Sequence, residues 1–371
     1  MIFTTNTKPL NDAISLGIIN GNITTIDKKS GIVQLTATAD KLRINVETSR
    51  IRTQLEVLGS GEGEDYFTIF VSSTLLKQLM STITSPTVKL DLSDDGLTII
   101  AGKSKFTLPK MFDIVDIELN QPEIPDNYMD NAVDVDKTTW RYVKENQMYA
   151  VATSFAHPVY CNVFVGGESG VIVGDYDNSI FTYSTSSTFG NQCLLSPTIL
   201  NLLISLPDGA KITRIDKSYL VFVTLDSFSY VTQFTPMYEG DEGIGSYHSE
   251  IFLGLMQHND TNISVNASEI TKYLSQAEML NTEAIPRIDF IVNGDTVTLK
   301  DRNVSCEVSL TNPAPTSYTT KFKTAFLKKL MSNYGDKIVN VQPLIDSNGE
   351  VSGILVWDDT LTSMLACEVA I

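Results

Sequence analysis

The chain of 371 residues carries 44 acidic against 27 basic residues, a net charge of −17, with an ordinary hydrophobic content of 42%. That length suits two or three domains, and the charge disfavours any mode of nucleic-acid binding that uses the whole surface. The start lacks a basic stretch leading into an apolar run, and no segment reaches the roughly 18 apolar residues of a membrane helix, so an intracellular, cytoplasmic protein without membrane contact is expected.

In chain order, Ile2 to Thr4 reads as a strand, and Pro9-Leu10 opens a helix with Leu10, Ile14 and Ile18 on one face. Val33, Leu35 and Ala37 alternate, as do Leu42, Ile44 and Val46 beyond Ala39-Asp40, which predicts a hairpin. A strand from Ile51 to Val57, a flexible turn over Gly59 to Glu64 and a strand from Phe67 to Val71 follow. Ser72 or Ser73 then caps a helix, and Asp94-Asp95-Gly96 joins Val88–Leu92 to Leu97–Ala101. A last strand holds Phe106 and Leu108. Residues 110–130, with Pro122 and Pro125, read as a linker.

The order then repeats. Val133 and Val135 precede a helix bearing Trp140, Val143 and Gln147 on one face; strands run through Tyr160–Val165, Val171–Val173 and Ile180–Tyr183; and Ser196-Pro197 starts a second helix followed by the hairpin of Ile212 to Val223. After a second linker at Glu239–Gly245, Ile263 and Val265 lead into a helix with Ile270 and Tyr273. The strands of Ile288 to Leu310 come next, and then a last helix capped by Thr324, with Lys321 and Lys323 at its entry. Its buried stripe is Phe326, Leu327, Leu330 and Tyr334, and Lys321 shares the opposite face with Lys328. Strands through Trp357 and from Met364 to Ile371 end the chain.

This order reflects an internal repeat. Thr74–Ser81, Thr198–Ser205 and Ala325–Ser332 align at steps of 124 and 127 residues, and the same offsets bring Val88, Ile212 and Val339 into register. Three similar domains are therefore expected, at 1–128, 129–256 and 257–371. Each has two strand-helix-strands halves, giving an α+β class with antiparallel sheets.

No catalytic constellation emerges, so an enzyme is not expected. Asp91-Leu92-Ser93-Asp94-Asp95-Gly96 imitates half a calcium loop but lacks the closing Glu and reads as a hairpin turn. His157, His248 and His258 stand in no catalytic spacing, and phosphate- and dinucleotide-binding motifs are absent. Cys161, Cys193, Cys306 and Cys367 lie far apart, which suits buried free thiols rather than zinc or disulfides. No metal or cofactor is expected. The basic residues Lys8, Lys77, Arg141, Lys144, Lys272, Lys321, Lys323, Lys328 and Lys329 fall on or beside the predicted helices, and read together they suggest an electropositive helix surface facing DNA.

Met1-Ile2-Phe3-Thr4, the triplicate helix-and-hairpin units, Gly102–Leu108 and Asn266–Leu280 together resemble the bacterial-type sliding clamp, the processivity factor of replicative DNA polymerases. The resemblance implies a head-to-tail homodimer whose six domains close a ring, with helices lining the bore, sheets outside and duplex DNA held without base contacts. It also implies partnership with a DNA polymerase and a clamp loader. Phe106 and Leu108 of one subunit would meet Met279 and Leu280 of the other. A pocket for partner peptides would use Cys161, Asp175, Asn178, Ile180, Leu365, Cys367, Val369 and Ile371. The chain departs from the family around Asp177-Asn178-Ser179 and in its tail Cys367–Ile371, a divergence that suits a phage-encoded clamp acting in an infected host cell, with its own polymerase peptide. The alternative is an acidic, β-rich structural or adaptor protein, for example of a virus particle, that does not encircle DNA.

Overall fold

The computed structural model describes residues 1–18, 31–63, 65–111, 119–153, 158–166, 170–175, 178, 180–185, 192–236, 255 and 258–367. The chain forms two compact units, one of Met1–Lys137 with Thr198–Met237, the other of Thr138–Pro197 with Tyr238–Ile371. Every strand pairing among the described residues is antiparallel.

The first unit holds two sheets. The smaller has the order β5 (Ser60–Glu62), β1 (Ile2–Asn6), β7 (Thr87–Ser93), β8 (Gly96–Ala101), β9 (Ser104–Pro109). The larger runs β10 (Val133–Asp134), β15 (Lys211–Ile215), β16 (Ser218–Thr224), β17 (Phe228–Phe234), β4 (Ile51–Leu58), β3 (Lys41–Glu47), β2 (Ile32–Thr38), β6 (Tyr66–Ser72). Apolar alternation fixes the register, because a one-residue slip would turn Leu35, Leu42, Ile44, Leu55 and Val57 out to water. Helices α1 (Thr7–Gly17) and α2 (Ser73–Thr82) cover the sheets with Leu10, Ala13, Ile14, Leu76 and Met80 buried. Ser72, rather than Ser73, caps α2, its hydroxyl accepting from the Leu75 N–H at 3.4 Å. Across the middle of the larger sheet, the buried hydroxyls of Thr53 and Thr232 join β4 to β17 at 2.7 Å.

In the second unit the larger sheet has the order β14 (Gln192–Leu195), β11 (Val163–Gly166), β12 (Val171–Asp175), β13 (Ile180–Ser184), β25 (Thr362–Ala366), β24 (Val351–Trp357), β23 (Ile338–Ile345), β18 (Ile263–Asn266). The smaller is β21 (Ser305–Ser309), β20 (Thr296–Lys300), β19 (Arg287–Asn293), β22 (Tyr318–Lys323). Helix α3 (Lys137–Asn146) buries Trp140 and Val143, and α5 (Ala267–Leu280) packs against α6 (Thr324–Ser332) through Ile270, Leu274, Leu327 and Leu330. The remaining helix with described bounds, α4 (Pro197–Ser205), belongs from Thr198 on to the first unit and starts at the proline the sequence singles out. Gln147 is paired within this core, donating to Val171 O at 3.3 Å and accepting from Ser184 at 3.0 Å, as is Tyr334, which donates to Val356 O at 2.7 Å.

Several expectations need correction. Gly59–Glu64 is not only a turn, because Ser60–Glu62 pairs with β1. Tyr160 is not in a strand; Pro158 opens a single 3-10 turn over Pro158–Cys161, and the strand starts at Val163. Lys321 is not on the last helix but on β22, so the face it was expected to share with Lys328 does not exist. Thr324 is the first helical residue, with Lys323 at the cap position. Phe326 is only half-buried, and Met331 fills the core beside Leu327. Among the four free cysteines only Cys193 is buried.

Candidate functional site

Charge is unevenly divided between helices and the rest of the chain. Six helices among the described residues carry eight basic residues and four acidic ones, in a chain whose totals are 27 basic and 44 acidic. Lys8 on α1, Arg141 and Lys144 on α3, Lys272 on α5 and Lys329 on α6 project from exposed helix faces. Two expected members are engaged within the fold. The Lys77 ammonium donates to Ile18 O at 2.6 Å and approaches Ser15 O at 3.4 Å, so it satisfies carbonyls at the end of α1, and burial lowers its pKa. Lys328 pairs with Glu278 at 2.6 Å, tying α6 to α5. The two strand lysines lie elsewhere: Lys321 pairs with Asp289 at 3.2 Å, and Lys323 reaches Asn178 at 3.4 Å with its ammonium 5.3 Å from the Phe326 ring centroid.

The residues expected to form a peptide pocket gather at one corner of the larger sheet of the second unit. Ile180 and Leu365 are direct partners across β13 and β25, both buried. Asp175 closes β12 and accepts from the Asn178 N–H at 3.2 Å and its amide at 2.8 Å. Cys161 lies close enough that burial, with the Asp175 charge, raises its pKa. The Cys367 thiol donates to Val351 O at 3.0 Å. Lys323, expected at DNA, belongs to this corner through Asn178, a placement the sequence could show only if β22 were recognised as a strand. Val369 and Ile371 lie outside the described residues.

Of the expected interface residues, Leu108 is buried under its own sheet and Phe106 is half-buried on β9, the last strand of its sheet. Met279 and Leu280 end α5 with 83% and 57% of their surface exposed, beside a shallow depression of about 510 Å³ lined also by Val304 and Ser305. Those residues adjoin and open β21, again a last strand. His258 stacks on Trp357 with ring centroids 4.2 Å apart. His157 and His248 lie outside the described residues. No group of three or more His, Cys, Asp or Glu suited to a metal is found among the described residues, and no helix among them is long and apolar enough to cross a membrane.

Four-stranded halves, each following or preceding one helix and joined into eight-stranded antiparallel sheets, define the DNA-clamp architecture. More particularly, the fold is that of the bacterial β sliding clamps. Each of the following solved structures matches over 100% of both chains: the DNA polymerase III β subunit of Thermotoga maritima (TM-score 0.77, 11% identity), the sliding clamp of Bacillus subtilis (0.74, 14%) and the β clamp of Helicobacter pylori bound to a DNA ligase peptide (0.72, 11%). No family model and no curated protein matches the sequence.

Proposed function

We propose that this protein is a sliding clamp: a head-to-tail homodimer whose ring encircles duplex DNA and tethers a replicative polymerase, placed there by a clamp loader. The observation that carries this reading is a sheet in two pieces. Both eight-stranded sheets have one plan, in which a four-strand half such as β10-β15-β16-β17 joins a second half such as β4-β3-β2-β6. The two smaller sheets contain the same halves unjoined: β1-β7-β8-β9 matches the first kind and β21-β20-β19-β22 the second. Joining β9 of one subunit to β21 of another would complete a third eight-stranded sheet, and doing so twice would close a ring. Lys103 and Lys105 beside and on β9, with Glu307 on β21, are exposed and of opposite sign.

The same plan supports domains at 1–128, 129–256 and 257–371, since each stretch supplies two halves and two helices. Compact units follow other limits because strand pairing joins a half from one domain to a half from the next.

The positive helices would give the bore a weak attraction for phosphate that leaves the ring free to slide. Without catalytic chemistry in this reading, function rests on topology. Loaded onto a closed DNA circle, the protein should stay bound through a moderate-salt wash and escape when the circle is cut. Release by salt alone overturns encirclement. The corner of Ile180, Leu365, Cys161 and Asn178 would seat the partner peptide, its apolar floor taking side chains and Lys323 a carboxylate.

A further inference from the structure

The corner that holds the peptide pocket in the second unit has a counterpart in the first. There the loop joining β3 to β4, the end of β17 and the hairpin joining β15 to β16 surround a cavity of about 320 Å³. These are the elements that match the loop joining β12 to β13, the end of β25 and the hairpin joining β23 to β24. The strand plan of the corner recurs, and the cavity it frames in the first unit is polar. In strand register Ile180 and Leu365 match Ile51 and Phe234, which are also buried and apolar; the first-unit cavity itself is lined by Arg50, Arg52, Gln233 and Thr235, with the carboxylates of Glu47, Glu123 and Asp216 around them.

Hydrogen bonding decides which of these groups remain able to bind. Both oxygens of Glu47 are engaged by Asn120, whose backbone N–H donates to Oε2 at 2.9 Å and whose amide donates to Oε1 at 2.7 Å. Gln233 uses its carbonyl to accept from the Glu123 N–H at 3.0 Å, which directs its amide donors elsewhere. Arg50 donates from Nη1 to Pro236 O at 3.1 Å. Arg52 pairs at 3.2 Å with Glu123, whose side chain is 73% exposed, and a pair so open to water is held weakly. Each guanidinium has five donors in a fixed fork, so both keep capacity for a carboxylate.

We infer that this cavity is a second partner seat, specific for an extended peptide that places an Asp or Glu side chain against Arg50 and Arg52. A polyanion such as nucleic acid is disfavoured by the three carboxylates and by the net charge of −17. A peptide supplies one carboxylate for the arginines together with backbone N–H groups for the surrounding acceptors. The inference rests on the peptide-pocket reading of the corresponding corner, but its ligand and its residues are different.

The test is fluorescence polarisation on the full-length protein. The probes are labelled six-residue Ser/Gly peptides carrying one Asp or Glu at each position in turn, with their Asn or Gln counterparts. We expect acidic members to bind, the amide counterparts to fail, and Arg50→Gln with Arg52→Gln to weaken binding at least tenfold. Glu123→Gln, which frees Arg52, should tighten it and serves if the double variant does not fold. Absence of binding, equal binding of the amide peptides, or loss on Lys323→Gln instead of the arginine changes overturns the inference. A Leu- and Phe-containing peptide titrated in parallel reports on the second-unit pocket; its failure alone sinks that reading and leaves the acidic result standing.

Discussion

Lys77 shows how far a side chain can depart from the part its spacing suggests. On a helical wheel it is a basic residue on a polar face, yet its ammonium closes the end of α1. Lys77→Met should therefore cost about 1 kcal/mol of stability, read by urea unfolding, and leave DNA retention nearly unchanged. Arg141→Glu with Lys144→Glu, on an exposed face, should do the reverse: unchanged unfolding, and weaker low-salt binding to linear duplex DNA with a shallower salt dependence. Glu56 offers a pH-dependent case. Burial pushes its pKa up, but hydrogen bonds from Lys41 and Arg43 outweigh this and hold it below the ordinary value. A lowered folded-state pKa contributes stability that is present above the unfolded value and lost as pH falls through the folded one. Glu56→Gln should destabilise by roughly 0.5–1 kcal/mol at neutral pH, and the gap from wild type should close only once the pH has fallen below the ordinary glutamate range.

At the level of elements, legibility followed the strength of the local signal. Asp94-Asp95-Gly96 announced its hairpin, and the pairing of Ser93 with Gly96, where φ is +143°, is the turn that chemistry demands. Strand β22 escaped because its inward residues include Thr320 beside Phe322, a weak apolar alternation that reads as an approach to the following helix. β17 could have been found, since Phe228, Tyr230, Thr232 and Phe234 alternate cleanly inward. The repeat located the helices, whereas the pairing of β17 with β4 is long-range and left no local trace. Lys321 and Lys323 differ from expectation because they lie on β22, whose alternation is weak, and Lys323 thereby reaches Asn178. The unjoined halves make a prediction of their own. Cys306 shares the inward face of β21 with Val308, as Phe106 and Leu108 share that of β9. Phe106→Cys or Leu108→Cys should form an oxidised species of double mass on a non-reducing gel, because opposed Cα atoms in antiparallel strands lie about 4.5–5.5 Å apart, within disulfide range. A Cys306→Ser background should abolish it, and no cross-link in either variant argues against this seam.

For the whole molecule, the expected particle has about twice the 40.9 kDa chain mass by light scattering. Lys105→Glu, which sets like charge against Glu307 across the proposed seam, should shift it toward single chains without altering far-ultraviolet circular dichroism. In the proposed ring, the positive helices would need no fine geometry to act within an otherwise acidic chain, because a threaded ring would use electrostatics only to centre the duplex.

The split between β9 and β21 also bears on how such a ring would open. Each half-sheet reaches the gap with its helix already packed and its apolar side covered, so parting the seam exposes chiefly one row of backbone groups and the Met279–Leu280 patch. Opening is then an exchange of edge hydrogen bonds for water rather than an unfolding step. A loader would have only to outcompete one strand edge, and a single chain in solution would be a folded protein with two unsated borders rather than a fragment.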